Sequence, residues 1–209
     1  MSKANLAEKL KLTLVASESE AKPRTIMELA EQAFRGGVTA LQLREKTMEG
    51  RAFYELAVSL AKFCRQRGKL FIINDRLDMA LAVGADGVHL GQTDLPAEAA
   101  LRIMPPEMIL GVSASNFQEA REAEKAGADY VGVGAMFATD SKTDAKVVSA
   151  DQAAEIVKLD IISVAIGGVG PDQAGPIWRM GFDGLAVISA LTGSKDPEKT
   201  AQVLLEAKG

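Results

Sequence analysis

The amino-acid sequence predicts an α/β protein that folds as a (β/α)8 TIM barrel, and three observations lead to this prediction. Short runs of β-branched and other apolar residues alternate with longer stretches of helical periodicity, the pattern that builds parallel sheets. Eight such pairs occur along the chain. The length of 209 residues is close to the lower limit, roughly 200 residues, for a complete barrel. We therefore expect a single domain that spans residues 1–209.

The predicted strands are short, as the strands of a barrel are. They centre on Leu12–Val15, Ala40–Leu43, Leu70–Ile73, Gly87–Leu90, Ile109–Val112, Tyr130–Val133, Ser163–Ile166 and Gly184–Val187. A faint repeat supports the count, because a glycine precedes strands two, four, six and eight, at Gly37, Gly84, Gly127 and Gly181. Glycine suits the left-handed residue that ends a helix, so each copy marks the passage from a helix to the next strand.

The fifth strand is followed by a signal for the start of a helix. Ser115 and Gln118 have the spacing of a capping box, in which the two side chains bind each other's backbone N–H groups. The order of strand, short loop and capped helix is the one that a barrel requires.

Composition and charge exclude several classes of function. Hydrophobic residues make up 47% of the chain and charged residues 25%, as in ordinary globular proteins. The net charge of −4 argues against a nucleic-acid partner. There is no run of 18 apolar residues and no apolar N-terminal segment, so we expect no membrane partner and a cytoplasmic location. Cys64 lies on an apolar helical stripe and is expected to pack rather than to react. The sequence is compatible with a homo-oligomer and does not decide the oligomeric state.

Polar residues interrupt the apolar sequence just after the strand ends, where barrel active sites are built. After strand two, the alternation of side chains directs Gln42, Arg44 and Lys46 to one side and Leu41 and Leu43 to the other. Two cations and an amide on one side suit an anionic ligand. The alternative is a solvated strand end with ordinary surface cations.

Carboxylates follow the next two strands. Asn74 and Asp75 end strand three, and Asp94 follows strand four. Neighbouring strands can bring the two carboxylates together, and a pair of carboxylates facing a diphosphate is the usual protein contribution to a Mg2+ site. The alternative for Asp75 is that it caps the helix that follows.

The last three strands are followed by candidate phosphate-binding segments. The sixth loop, residues 134–144, is long and rich in hydroxyl groups and carries Lys142, so it is expected to close over a phosphorylated ligand, although a plain mobile loop is the alternative. Gly167, Gly168 and Gly170 follow strand seven, and residues 188–190 follow strand eight. Barrels often bind phosphate at this position through backbone N–H groups.

His89 is the only histidine, and it lies between Val88 and Leu90 on strand four. We expect it to be a packed, hydrogen-bonded residue rather than a catalytic one. Because the chain has one histidine, it lacks the ligands of a metal centre built from several histidines. Any metal must therefore be held by carboxylates.

Taken together, these segments resemble the thiamine phosphate synthase family, and they follow the same order along the chain. The matching segments are Gln42–Lys46, Ile73–Arg76, Gly87–Asp94, Gly111–Ser113, Ala165–Gly168 and Ala186–Ala190. The family folds as a (β/α)8 barrel. By this resemblance the chain condenses 4-amino-2-methyl-5-(diphosphooxymethyl)pyrimidine with a thiazole phosphate, carboxylated or not, to give thiamine phosphate and pyrophosphate. Mg2+ assists the ionisation of the pyrimidine diphosphate.

The resemblance also implies the site residues. It assigns the pyrimidine diphosphate to Gln42, Leu43, Arg44, Glu45, Lys46, Asn74, Ser113 and Lys142. The catalytic residues among them are Arg44, Lys46, Ser113 and Lys142. It assigns Mg2+ to Asp75 and Asp94. It assigns the thiazole phosphate to Thr139, Asp140, Ser141, Gly168, Ile188 and Ser189.

The chain departs from the family pattern in the sixth loop, where Ala135 and Ala138 replace prolines and Ser141 replaces a threonine. Two alternative functions are a thiazole tautomerase-like isomerase and a barrel that binds a phosphorylated ligand without catalysis. The isomerase carries a catalytic histidine after strand five, where this chain has Ser115.

Overall fold

The chain folds into a closed barrel of parallel strands, as predicted. In the computed structural model, which describes residues 1–138 and 147–209, each strand pairs with its sequence neighbours, and the eighth pairs with the first. The strands are β1 (Leu12–Ala16), β2 (Ala40–Leu43), β3 (Leu70–Asn74), β4 (Gly87–Leu90), β5 (Ile109–Ala114), β6 (Tyr130–Val133), β7 (Ile162–Ile166) and β8 (Gly184–Val187). All eight agree with the predicted strands to within two residues at each end.

Helices precede the barrel, connect its strands and follow the last of them. They are α1 (Lys3–Lys9), α2 (Ile26–Arg35), α3 (Gly50–Gln66), α4 (Leu77–Val83), α5 (Ala97–Leu101), α6 (Phe117–Ala126), α7 (Ala150–Ile156), α8 (Pro171–Met180), α9 (Ser189–Thr192) and α10 (Pro197–Glu206). The four glycines of the repeat have positive φ values, from 62° at Gly84 to 103° at Gly37, as their position beyond helix ends predicts. No helix within the two described ranges is long and apolar enough to cross a bilayer.

The apolar residues form two layers because side chains alternate along each strand. Leu41 and Leu43 belong to the layer between the strands and the helices. Val15, Ile72 and Val164 belong to the layer that fills the barrel interior. Polar side chains replace this inner layer at the carboxyl ends of the strands, which is where the site forms.

The predicted capping box at Ser115 and Gln118 is wrong by one residue. Helix α6 begins at Phe117, and the N-cap is Asn116, whose side chain accepts a hydrogen bond from the backbone N–H of Glu119 at 2.9 Å. Both residue pairs have the required spacing, but Glu119 brings a charged acceptor to the backbone N–H of Ser115 and the side-chain amide of Asn116, just before the helix. A carboxylate binds such donors more strongly than the amide of Gln118 would.

Cys64 packs as the sequence predicts. It lies on α3, is fully buried in the layer between strands and helices, and has no disulfide partner within the described ranges. Burial raises the pKa of its thiol to about 12, so the reactive thiolate is scarce at neutral pH.

Candidate active site at the carboxyl ends of the strands

A cavity of about 500 Å³ opens at the carboxyl ends of the strands. Most of the predicted site residues within the described ranges line it. They are Gln42, Arg44, Lys46, Asn74, Asp75, Asp94, Ser113, Gly168, Ile188 and Ser189. These residues come from six different strands or the segments after them, so only the closed barrel brings them together.

The end of β2 presents its cationic face to the cavity. Gln42, Arg44 and Lys46 line it, as the alternation of side chains predicts. Leu43 and Glu45 have other surroundings. Leu43 packs in the layer beneath the helices, and the carboxylate of Glu45 accepts a hydrogen bond from the backbone N–H of Glu18 at 2.6 Å. Neither side chain lines the cavity, so any contact of these two residues with a ligand falls to their backbone atoms.

Two carboxylates face each other across the ends of β3 and β4. The Asp94 carboxylate accepts a hydrogen bond from the backbone N–H of Gly91 at 2.7 Å, and the Asp75 carboxylate forms an ion pair with the ammonium of Lys46. Burial raises the pKa of Asp94 and the facing Asp75 carboxylate raises it further, while the Gly91 N–H opposes the shift. Two carboxylates that disfavour each other's charge, with free oxygen lone pairs, fit a hard divalent cation.

The backbone of Asp75 is held by a neighbouring strand, and the residue does not act as a helix cap. Its φ is 65°, in the left-handed region that aspartate tolerates better than most residues, and its N–H donates to the carbonyl of His89 at 2.8 Å. Helix α4 begins at Leu77, with Arg76 at the N-cap position and no side-chain hydrogen bond to the cap. The capping alternative for Asp75 is therefore wrong, because its side chain lines the cavity instead.

His89 is a packed, hydrogen-bonded residue, as predicted. Its side chain is buried, and its ring nitrogens lie 3.0 Å from the hydroxyl of Tyr130 and 2.9 Å from that of Ser113. The side-chain amide of Gln92 donates to the carbonyl of Ser113 at 2.6 Å. Ser113 is thus held by a side chain on β4 and by the loop that follows β4.

Sequence reasoning missed Glu119, Gln92 and Tyr130. Glu119 lines the cavity from the first turn of α6, and its carboxylate accepts hydrogen bonds from the backbone N–H of Ser115 at 2.7 Å and from the Ser115 hydroxyl. The signal in the sequence was the spacing of Asn116 and Glu119, a second match to the capping pattern. In the sequence Tyr130 has the pattern of a core residue of β6, and its contact with His89 in the structure shows its connection to the site.

The phosphate-binding candidates lie on the opposite side of the cavity. Gly168, Ile188 and Ser189 line it at the ends of β7 and β8. The backbone N–H groups of Met136 and Phe137 donate to the carbonyls of Ile166 and Gly167, at 2.9 and 3.0 Å, so the sixth loop starts against the end of β7. Thr139, Asp140, Ser141 and Lys142 lie outside the described residues.

Fold and site together define a class of protein. A closed parallel barrel with cations, paired carboxylates and a glycine-containing turn at its carboxyl-terminal face is a (β/α)8 barrel with a candidate active site at its strand ends. Among the described residues, no cluster of three or more His, Cys, Asp or Glu side chains is placed to hold a metal by itself. A metal in this cavity would therefore share its coordination between two carboxylates and other oxygen ligands.

The chain belongs to the thiamine monophosphate synthase family, which matches residues 12–191. A thiamine-phosphate synthase of Coprothermobacter proteolyticus is 44% identical over 207 residues, covering 99% of this chain and 98% of the relative. One of Ruminiclostridium cellulolyticum is 46% identical over 196 residues, covering 93% of each. The solved structure of thiamine phosphate pyrophosphorylase from Pyrococcus furiosus matches with a TM-score of 0.89 and 41% identity, covering 98% of both chains.

The contacts of Glu119 predict a stability effect at the site. Glu119→Ala should lower the free energy of unfolding by about 1–2 kcal/mol, because the backbone N–H and the hydroxyl of Ser115 lose a charged acceptor. Urea unfolding measures the change. Glu122→Ala on the exposed face of the same helix is the matched control and should change stability by no more than about 0.5 kcal/mol. An equal loss of unfolding free energy in the two variants would contradict a stabilising role for the hydrogen bonds that Glu119 accepts.

Proposed function

We propose that the strand-end cavity joins an aminopyrimidine diphosphate to a thiazole phosphate and releases pyrophosphate, with Mg2+ as the metal. The activity of the chain is that of a thiamine-phosphate synthase, a transferase, as its family and its full-length relatives establish. The assignment of individual residues to the two substrates and to the metal is our proposal. One observation carries it, namely the convergence of Lys46, Asp75 and Asp94 at the ends of three consecutive strands.

The two carboxylates suit Mg2+ better than a softer metal. Asp75 and Asp94 offer oxygen ligands only, and Mg2+ is commonly held by one or two carboxylates with phosphate oxygens and water completing the octahedron. Bound there, Mg2+ would supply positive charge to the oxygens of the diphosphate. The ion pair between Lys46 and Asp75 shows that one of these carboxylates is accessible to a cation at the cavity wall.

The cations of β2 act on the leaving group. Arg44 and Lys46 line the same side of the cavity, and the charge on pyrophosphate increases as its bond to the pyrimidine methylene carbon breaks. The electron pair of that bond leaves with pyrophosphate, and the lone pair of the thiazole nitrogen forms the new carbon–nitrogen bond. Because the thiazole supplies the nucleophile, no side chain has to form a covalent intermediate. The residues contribute orientation and charge.

The other side of the cavity suits the thiazole phosphate. Gly168, Ile188 and Ser189 lie where barrels of this kind bind phosphate through backbone N–H groups. Gly168 has φ of +66°, and a Cβ there would lie 2.7 Å from the Cβ of Phe137, so glycine permits the close approach of the sixth loop. The proposed assignment puts the two ligands on opposite sides of one cavity, within reach of each other.

The isomerase alternative is not favoured. The hydroxyl of Ser115, which stands where the isomerase carries its histidine, donates to Glu119 and cannot replace an imidazole as a general acid and base. The one-domain organisation of residues 1–209, the homo-oligomer and the cytoplasmic location stay predictions from the sequence.

The test of the function is a coupling assay. The purified chain, incubated with the aminopyrimidine diphosphate, the thiazole phosphate and Mg2+, should form thiamine phosphate and pyrophosphate in equal amounts. Omitting either substrate should abolish both products. Ligand binding without product formation would support a non-catalytic barrel instead.

Asp94→Asn tests the metal site. We expect turnover to fall by at least about tenfold and the Mg2+ concentration for half-maximal activity to rise, because the variant loses a charged oxygen ligand. In the absence of substrates, Mg2+ should raise the melting temperature of the original chain more than that of the variant. Asp160→Asn, at an exposed carboxylate outside the cavity, is the control and should behave like the original chain. An unchanged Mg2+ requirement in Asp94→Asn would remove Asp94 from the site.

Lys46→Ala tests which ligand the end of β2 binds. The variant should bind the pyrimidine diphosphate at least about tenfold more weakly, because one charge-assisted hydrogen bond is lost, while binding of the thiazole phosphate changes less. Isothermal titration with each ligand separates the two effects. The exposed Lys62→Ala on α3 controls for the loss of a lysine at the surface. Equal weakening of both ligands would show that Lys46 does not discriminate between them.

A further inference from the structure

A chain of buried polar side chains crosses three strands beneath the cavity. The hydroxyl of Tyr130 on β6 lies 3.0 Å from Nδ1 of His89 on β4, and Nε2 of His89 lies 2.9 Å from Oγ of Ser113 on β5. Tyr130 is 3% exposed and His89 is 8% exposed, whereas Ser113 is half-buried and lines the cavity. These hydrogen-bonded side chains therefore run from the barrel interior to the wall of the cavity.

Two glycines provide the space for the side chains of this hydrogen-bonded series. In the barrel register, Gly111 of β5 lies between His89 and Tyr130, and Gly132 of β6 pairs with Ser113. A Cβ at Gly111 would lie 2.2 Å from Cζ of Tyr130, and a Cβ at Gly132 would lie 2.9 Å from Cε1 of His89. The two rings occupy space that any larger residue would fill, so their positions are fixed by packing as well as by hydrogen bonds.

The buried phenol of Tyr130 sets the direction of the hydrogen bonds from Tyr130 through His89 to Ser113. Burial, reinforced by the charge of Asp129, raises the pKa of Tyr130, so its hydroxyl keeps its proton and needs an acceptor for it. The hydroxyl of Tyr130 lies 3.0 Å from His89 Nδ1, and we take this nitrogen as the acceptor of its proton. An imidazole that accepts at Nδ1 carries its hydrogen on Nε2 and donates it to Ser113, 2.9 Å away.

We propose that Tyr130 and His89 are positioning residues that make Ser113 a hydrogen-bond donor to the pyrimidine diphosphate. Because the Ser113 oxygen accepts from His89, the hydroxyl hydrogen of Ser113 is free to point into the cavity, where it meets an acceptor atom of that substrate. In the reverse direction, Ser113 would give its hydrogen to His89 and offer the substrate only an oxygen lone pair. The identity of the ligand rests on the proposed function, but the direction of the hydrogen bonds does not.

The single histidine makes the direction measurable. After removal of any affinity tag, the 15N spectrum of the imidazole comes from His89 alone. Without substrates, we expect a protonated Nε2 and an unprotonated Nδ1. A proton on Nδ1, alone or together with one on Nε2, would overturn the proposal.

Tyr130→Phe removes the hydroxyl and keeps the ring. We expect both imidazole tautomers to become populated, and kcat to fall by about tenfold, the value of one neutral hydrogen bond, with little change in the KM for the thiazole phosphate. Tyr54→Phe on the exposed face of α3 is the matched control and should change neither the spectrum nor kcat. If Tyr130→Phe gives the same spectrum and kcat as Tyr54→Phe, Tyr130 does not position His89.

The two proposals fail in different ways. A chain that forms no thiamine phosphate under the conditions of the coupling assay would refute the proposed function. The imidazole spectrum of the original chain is recorded without substrates and does not depend on that result, so it decides the direction of the hydrogen bonds even if Tyr130→Phe fails to fold.

Discussion

The parallel hydrogen bonding of the strands around a closed barrel is the constraint on which the rest of the structure depends. A parallel strand returns to the same end of the sheet after each helix, so the carboxyl end of every strand opens on one face. Side chains far apart in sequence, such as Lys46 and Ser189, become neighbours around one cavity for this reason alone. The helices carry the return connections and bury the outer faces of the strands.

At that face, several charged groups of the described residues lie against a partner. Lys46 forms an ion pair with Asp75. The Asp94 carboxylate accepts a hydrogen bond from the backbone N–H of Gly91 and faces Asp75. Burial and the facing carboxylate of Asp75 both raise the pKa of Asp94. A cation between the two carboxylates would favour the charged form of Asp94, and this links the local electrostatics to the proposed use of Mg2+.

Below the charged face, the barrel interior contains polar groups whose burial would be costly without hydrogen bonds. Tyr130, His89 and Ser113 satisfy one another across neighbouring strands, and Gly111 and Gly132 provide the space for the two rings. Such a network specifies one arrangement of the upper barrel, because moving one member breaks its hydrogen bond to the next. Rigidity below the cavity is what a reaction that depends on orientation requires.

Much of this organisation was predictable from the sequence. Side-chain alternation and helical periodicity predicted all eight strands, and polar residues directly after those strands indicated where the site lies. The direction of Gln42, Arg44 and Lys46 also followed, because it depends only on the two-residue period of a strand. These features are local, and local sequence carries the information that they need.

Other features depend on contacts between distant segments, and only the tertiary structure decided them. The side chain of Asp75 faces Lys46 and Asp94 instead of capping α4, a choice between two uses that its own neighbours in sequence leave open. The cap of α6 is a local exception: Ser115 and Asn116 both match the capping pattern, and the structure selects Asn116, with the Glu119 carboxylate accepting from the backbone N–H of Ser115. Tyr130 belongs to the polar network only because the register sets β4, β5 and β6 side by side. The sequence by itself determined the elements and the end of the barrel that carries the chemistry, whereas the partner of each polar group was decided by the closure of the sheet, which places together residues that no local pattern connects.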